Sequence, residues 1–299
     1  MHLVSVIMNC YNSEIYLKES LKSILNQDYK NWELIFLDNY STDNSKKIFN
    51  SFKDKRFKYF RLNKKHSLGI ARHKALCKAK GKYLCFLDTD DIWLPKKIST
   101  QVKILAKSDA GFSISNSIFF NEKKQKPFYK KDQNFSKNVF YKLIKNYFIS
   151  FDTVMIKKSH LDKLDHTFDK TFNIIHDCDL LIRLSRFSKM EYVPEALSKW
   201  RIHKKGASYN KSLIINNEKI KLIKKLDKYY SGDPSYEISK SFFIDSLYRN
   251  RILNFLLNSK IKHALKELRN LKLSIKNFCV IILFLFPLRN FFIKRILSN

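Results

Sequence analysis

Only five glycines and five prolines occur in the 299 residues, and no glycine-rich phosphate loop lies in the N-terminal region, which argues against nucleoside-triphosphate chemistry. No internal repeat and no low-complexity linker are present. Cysteine is scarce and odd in number: Cys10, Cys77, Cys85, Cys178 and Cys279, with no C-x-x-C pair. A disulfide framework or a zinc site is therefore not expected, a reducing cytoplasm fits, and most of the thiols should fill the core. Long apolar runs are missing as well. The longest, residues 278–286, is nine residues, short of the roughly 20 that a membrane-spanning helix needs. The chain enters a strand pattern almost at once, with no charged segment followed by an apolar one, so no secretory leader is expected. Acidic residues are few, 27 against 58 lysines and arginines, for a formal net charge of +31.

What is present is a globular composition, 44% hydrophobic, with enough length for one large or two medium domains. The positive charge calls for anionic partners: nucleic acid, an acidic membrane surface or phosphorylated substrates. The abundance of Lys, Asn, Ile and Phe also fits a biased base composition, so charge alone does not choose among these.

Hydrophobic periodicity gives the N-terminal half a clear order. Residues 3–8 read as a strand. After Ser13, the residues Ile15, Leu17, Leu21, Ile24 and Leu25 recur at helical spacing up to about 26–28. Residues 32–37 form a buried strand, and Thr42 or Asp43 is suited to cap a helix over 46–52. A strand over 57–62, a helix over 70–79 with Gly81 as its C-cap, and a strand over 82–87 follow. This alternation predicts an α/β fold, a mostly parallel sheet with helices on both faces. Beyond residue 95 the pattern changes. Residues 112–120 are β-rich, 123–138 form a Lys-rich loop, 151–156 read as a strand, and 177–187 as a helix. After Tyr209 the tail reads as helical throughout.

Three polar motifs fall at strand ends, where ligands bind on such sheets: Asn9-Cys10-Tyr11-Asn12, Asp38-Asn39, and Asp88-Thr89-Asp90-Asp91. The last places three carboxylates within four positions. Like charges that close repel unless a cation lies between them, and a hard divalent ion such as Mg²⁺ or Mn²⁺ suits oxygen ligands. A metal-held phosphate substrate is the first expectation.

These motifs, taken in order, resemble the family 2 glycosyltransferases. The resemblance runs through Ser5 to Asn12, Leu21-x-Ser23-Ile24-Leu25-x-Gln27, Glu33 to Asp43, Ala71-Arg72-His73-Lys74-Ala75, Ala79-Lys80-Gly81-Lys82-Tyr83 and Phe86 to Trp93. It continues in the acidic segment from His176 through Asp177 to Leu184, and in Trp200-Arg201-Ile202-His203 with Ser208. Each piece is modest; the ordered set, over roughly residues 3–208, is specific.

The resemblance implies a GT-A, Rossmann-like fold, a nucleotide-sugar donor, a divalent metal (Mn²⁺ or Mg²⁺) and inversion at the anomeric carbon. By position, Asp38 corresponds to the residue that bonds the donor's base, and Tyr11 and Asn12 to part of the nucleotide pocket. Asp88 and Asp90 match the D-x-D pair, Asp177 the catalytic base, and His203 a metal or diphosphate contact. The metal is expected on Asp90, Asp91 and His203. Asp88 is left between the metal and the donor's sugars. Arg72 and Arg201 would add donors to the diphosphate, since the guanidinium fork matches phosphate oxygens. Asp179 is expected to be structural, paired with Arg183 one turn on. Three positions depart from the family pattern: Asn39-Tyr40 where a second acid or Gly is usual, His73 for Asn, and His176 for the Glu before the base.

The expected organisation is a nucleotide-sugar-binding half over 1–105, an acceptor-binding half over 106–209 and a helical extension over 210–299. Within the extension, 278–297 mixes bulky apolar residues with Arg289, Lys294 and Arg295, a pattern suited to a helix lying in an anionic interface. The reading is a cytoplasmic enzyme, peripheral on the inner face of the membrane. It would carry a sugar, from UDP by family habit, to a glycan or lipid-linked acceptor in surface polysaccharide assembly. Two rivals differ in class. A nucleotidyltransferase would release pyrophosphate, but the Gly-rich loop is missing. A nucleic-acid-binding protein would suit +31, yet neither zinc-finger spacing nor an aromatic RNA-binding signature is present, so no specific nucleic acid is expected.

Overall fold

A computed structural model of the chain describes residues 1–130, 133–203, 206, 211–258 and 260–271. The chain divides into two compact units, Met1–Phe140 with Phe148–Gly206, and Tyr141–Tyr147 with Ala207–Asn299.

The first unit opens with β1 (Val4–Cys10), α1 (Leu17–Leu25), β2 (Trp32–Asp38), α2 (Ser45–Asn50), β3 (Phe57–Arg61), α3 (Leu68–Leu76) and β4 (Tyr83–Phe86). Then come β5 (Ile92–Trp93), α4 (Lys97–Ala106), β6 (Phe112–Phe120) and β7 (Gln125–Pro127). After α5 (Phe140–Lys145), which falls mainly in the second unit, the first resumes. It continues with a 3₁₀ turn over Phe151–Thr153, β8 (Met155–Lys157), α6 (Lys158–Leu161), α7 (His176–Ser185) and β9 (Met190–Arg201). The second unit carries α8 (Ser212–Tyr230), α9 (Pro234–Leu257) and α10 (Ile261–Leu268).

Among the described residues nine strands form one sheet, ordered β3-β2-β1-β4-β8-β6-β9-β5, with β7 beside β6. The pairs β1–β2, β1–β4 and β2–β3 are parallel. The pairs β4–β8 and β6–β8 are antiparallel, and β6–β9 is parallel with a register shift near Asn116. Together with the helices this is the mixed, mostly parallel sheet of a GT-A fold. Every residue of β2 is buried, as expected for a central parallel strand covered on both faces. The main core packs Val4, Val6, Leu34 and Phe36 of the sheet against Leu17, Leu21 and Ile24 of α1.

Several local expectations change. α1 starts at Leu17, not just after Ser13, and Ile15 lies outside it, 59% exposed. Gly81 caps no helix: α3 ends at Leu76, and only Gly232 among the glycines has positive φ. Gly81 is needed because a Cβ there would come within 2.5 Å of the Ser5 backbone nitrogen. The 151–156 strand is a 3₁₀ turn followed by a short strand. β9, twelve residues long, carried no readable strand signal; its pairing with β6 slips across Pro194-Glu195.

In the second unit Asp233 caps α9, accepting from the backbone of Ser235 and Tyr236, with proline in the first turn. Tyr141 donates to the same carboxylate at 2.6 Å. The segment 278–297 lies outside the described residues. Among the described residues no helix is long and apolar enough to cross a membrane.

Candidate active site

The ends of β1, β2 and β4 lie side by side, because β1 pairs with both of its neighbours in parallel. Their loops are joined by side chains rather than by backbone ladders. The Asn12 backbone donates to Ser41 Oγ at 3.1 Å, and Asn12 Oδ1 accepts from the Thr42 backbone at 2.9 Å. Asn39 clamps the next loop, donating to the His66 carbonyl at 2.8 Å and accepting from the His66 backbone at 2.9 Å. An amide both donates and accepts, which an acid at this position could not do. Asn12 and Tyr40 have φ of 50° and 73°, left-handed values that a bulky residue adopts at a cost of about 1–2 kcal/mol. Tyr11 is 41% exposed, with Lys65 Nζ 3.7 Å from its ring centroid.

Asp38 does not face this opening. Its carboxylate is fully buried and accepts from the Ser41 backbone at 2.7 Å and Tyr59 Oη at 2.6 Å. These two bonds let Asp38 shape the loop that ends β2.

The acid cluster divides its roles. Asp88 has a side chain 46% exposed, and Arg72 Nη2 donates to it at 2.5 Å. Asp90 Oδ2 lies 2.8 Å from His203 Nε2. Burial, and then the Asp88 charge, raise the Asp90 pKa above the usual carboxylate value. Asp91 points inward, 3% exposed, and accepts from the Arg201 backbone at 2.9 Å. Burial, then Asp152, Asp90 and Asp88, hold its pKa well above normal. The expected ligand trio is thus split: Asp90 and His203 converge, while Asp91 braces the loop from beneath. Their oxygen and imidazole donors suit Mn²⁺ or Mg²⁺, and two acids kept apart only by their surroundings gain from a cation.

Arg201 is likewise engaged. Its Nε donates to the Asp90 carbonyl at 2.9 Å and Nη2 to Glu19 at 2.7 Å, with the guanidinium 4.3 Å from the Tyr16 ring. It fixes the loop rather than extending a free fork. Arg72 is 4% exposed and divided between Asp88 and His176, whose Nε2 lies 2.5 Å from Nη1.

Asp177 is half-buried in the first turn of α7, where the helix dipole favours an anion. Asp179 pairs with Arg183 at 2.7 Å, as its spacing predicts. Arg183 also holds the carbonyls of His166 and Thr167. His166, Asp169 and Asp179 lie within 4.8 Å of one another, but Arg183 already occupies Asp179. A groove of about 750 Å³ beside α3, lined by Phe60, Leu62, Ile70 and Cys77 among others, touches none of the cluster acids. Size alone does not mark the site.

Sequence reasoning left three supports without a role. Ser20 Oγ donates to the carbonyls of Thr89 and Asp91, at 2.9 and 2.7 Å. Ser23 accepts from the Trp93 backbone, and Gln27 donates to the Leu94 carbonyl. Buried polar residues at three-to-four spacing on an apolar helix face were the available signal. Behind them, Lys97 and Asp152 form a buried polar layer.

The model of the family described as Glycosyl transferase family 2 matches residues 5–165. The chain belongs to this family. Among relatives, the Escherichia coli protein WfgD is named UDP-Glc:alpha-D-GlcNAc-diphosphoundecaprenol beta-1,3-glucosyltransferase. This glycosyltransferase is 32% identical to it over 184 residues, 62% of this chain and 69% of WfgD. Two further relatives match over 46% of their own length. Among solved structures, S. aureus TarS 1-349 in complex with UDP superposes with a TM-score of 0.61 at 18% identity, covering 82% of this chain and 71% of that one. The mannosyltransferase PcManGT from Pyrobaculum calidifontis, in complex with GDP-Man and Mn²⁺, gives 0.66 at 15% identity, covering 97% and 83%. At such identities the structures support the fold. The matched residues include the acid cluster but stop short of Asp177 and His203, whose assignment rests on their place in the chain and the geometry above.

Proposed function

We propose that this glycosyltransferase is metal-dependent and inverting. It moves a sugar, from UDP in the first instance, to a glycan or lipid-linked acceptor in cell-surface polysaccharide synthesis. The single observation that supports this best is the meeting of Asp90 and His203 beside the exposed carboxylate of Asp88. Acids at the end of a parallel strand, with an imidazole brought from a distant segment, suit a divalent ion and a diphosphate. The UDP and Mn²⁺ bound by the structural neighbours and the lipid-diphosphate acceptor in WfgD's name point the same way.

In this reading Tyr11 and Asn12 line the nucleotide, with Lys65 displaced from the Tyr11 ring as the base enters. Asp90 and His203 would hold the metal, which as a Lewis acid offsets charge on the departing diphosphate. Asp88 faces the donor's sugars. Asp91, Asp38, Arg72 and Arg201 hold these groups in place, which keeps reorganisation during the reaction small. Asp177 takes the proton from the acceptor hydroxyl as it attacks from the face opposite the diphosphate. A lipid-linked acceptor places the enzyme on the inner face of a membrane, with an anionic surface as its partner.

The test is nucleotide release from UDP-, GDP- and dTDP-sugars with Mn²⁺ or Mg²⁺. Metal-dependent hydrolysis of one donor is expected, lost in Asp90→Ala. Asp177→Ala should bind that donor and fail to transfer. No release and no calorimetric binding of any nucleotide with metal would overturn the donor site.

A further inference from the structure

His176 is 1% exposed, and it opens α7 immediately before Asp177. Its neighbour Arg72 is 4% exposed, with its guanidinium 4.8 Å from the Phe151 ring centroid. A guanidinium can only donate, so the 2.5 Å contact makes His176 Nε2 the acceptor. The ring is then neutral, and its proton sits on Nδ1. Burial and, next, the Arg72 charge keep the imidazole pKa well below its usual value, so it stays neutral near pH 7. Phe168 meets the ring edge-on at 5.6 Å, and Phe86 stacks on Phe151 at 4.5 Å, which walls the pair off from water. At Gly69 the two segments come close: a Cβ there would lie 3.3 Å from the Phe172 carbonyl and 3.5 Å from His176 Cβ.

The second arm of Arg72 reaches Asp88. A continuous chain of side chains therefore runs from the half-exposed acid just beyond β4, through the buried Arg72 of α3, to the buried first residue of α7. We propose that His176 is a positioning residue for the transfer step. As a neutral acceptor it docks the first turn of α7 on Arg72 and so fixes Asp177 relative to Asp88. This inference rests on the reading of Asp177 as the base. The neutrality matters. A carboxylate at 176 would compete with Asp88 for the same guanidinium, whereas an imidazole takes one N–H and leaves the charge to Asp88. Removing the acceptor would leave the Nη1 donor of a buried guanidinium without its partner, while Nη2 keeps Asp88.

The test compares His176→Gln with His176→Asn in the full chain. Gln carries its amide near the position of Nε2 and can still accept from Arg72; Asn carries it near Nδ1 and cannot. Donor affinity with Mn²⁺ is measured by calorimetry, and kcat and the acceptor KM by transfer, beside Asp177→Ala. His176→Asn should bind donor within about twofold of wild type and lose tenfold or more in kcat, about 1.4 kcal/mol of barrier. His176→Gln should recover kcat to within about threefold. Equal activity of the two variants overturns the proposal, because a residue that only fills space would not separate them. Loss of donor binding in His176→Asn also overturns it. If His176→Asn is fully active while Asp177→Ala is dead, the role of His176 falls and the base stands. An active Asp177→Ala removes both.

Discussion

Lys97 is a cation with no exposed surface, and its position makes a prediction that depends on pH. Its Nζ donates to Gln101 Oε1 at 2.5 Å and to the Thr153 carbonyl at 3.1 Å, 4.8 Å from the Trp93 ring centroid. Burial lowers its pKa from 10.5 to about 8, against the opposing pull of Cys85 and Asp152. Between those two values the unfolded chain holds the proton and the folded chain does not, so stability rises with pH across the interval. Below pH 8 both states are protonated, and the folded state bears the full cost of a buried ammonium, up to about 3 kcal/mol. Other groups titrate in the same range, so the measurement is the difference between wild type and Lys97→Met in urea unfolding at several pH values. The wild type should gain on the variant as pH climbs from 8 to 10.5. A flat difference would show that Lys97 keeps its ordinary pKa in the folded chain.

At the scale of elements, the strand ends are held at their meeting point by small and polar residues. Gly81 illustrates this. Its N–H donates to Ser5 Oγ at 2.8 Å, and an added Cβ would strike backbone on both sides. Gly81→Ala should therefore cost about 1–3 kcal/mol by forcing β1 and β4 apart, seen as a lower urea midpoint with an unchanged m-value. An unaffected midpoint would mean that the turn has room to shift. The same contrast separates what was legible in the sequence from what was not. The strands at 3–8 and 32–37 were plain, because a buried parallel strand is written as an apolar run. The acid cluster was plain as chemistry, but its division was hidden. Nothing local distinguishes Asp90, facing His203, from Asp91, facing Asp152, since that depends on which side of a turn each lands. Asp38 was read only as a contact for the donor's base, because the Tyr59 hydroxyl that bonds its carboxylate comes 21 residues later in the chain. Ser20, Ser23 and Gln27 had no role legible in the sequence, because the 89–94 loop they bond comes about 70 residues later in the chain.

For the molecule as a whole, +31 guarantees attraction to any anionic surface, so adhesion to acidic vesicles at low salt says little by itself. What separates charge from anchorage is the tail. Segment 278–297 adds Arg289, Lys294 and Arg295 to an apolar run of nine residues and to Phe291, Phe292, Ile293, Ile296 and Leu297. Three cations near an anionic surface contribute about 3 kcal/mol together, and salt removes that contribution. The Debye length is about 10 Å at 0.1 M and falls to about 4 Å near 0.5 M. Apolar insertion is not screened. The full chain should therefore still sediment with phosphatidylglycerol vesicles at 0.5 M NaCl, while a chain ending at Asn277 should sediment at 0.1 M and release at 0.5 M. Neutral phosphatidylcholine vesicles should hold the full chain only weakly, because both forces are needed for firm attachment. If the two chains release together as salt rises, the attachment is diffuse charge and the tail is no anchor. If the shortened chain stays bound at high salt, the apolar contact lies elsewhere in the molecule.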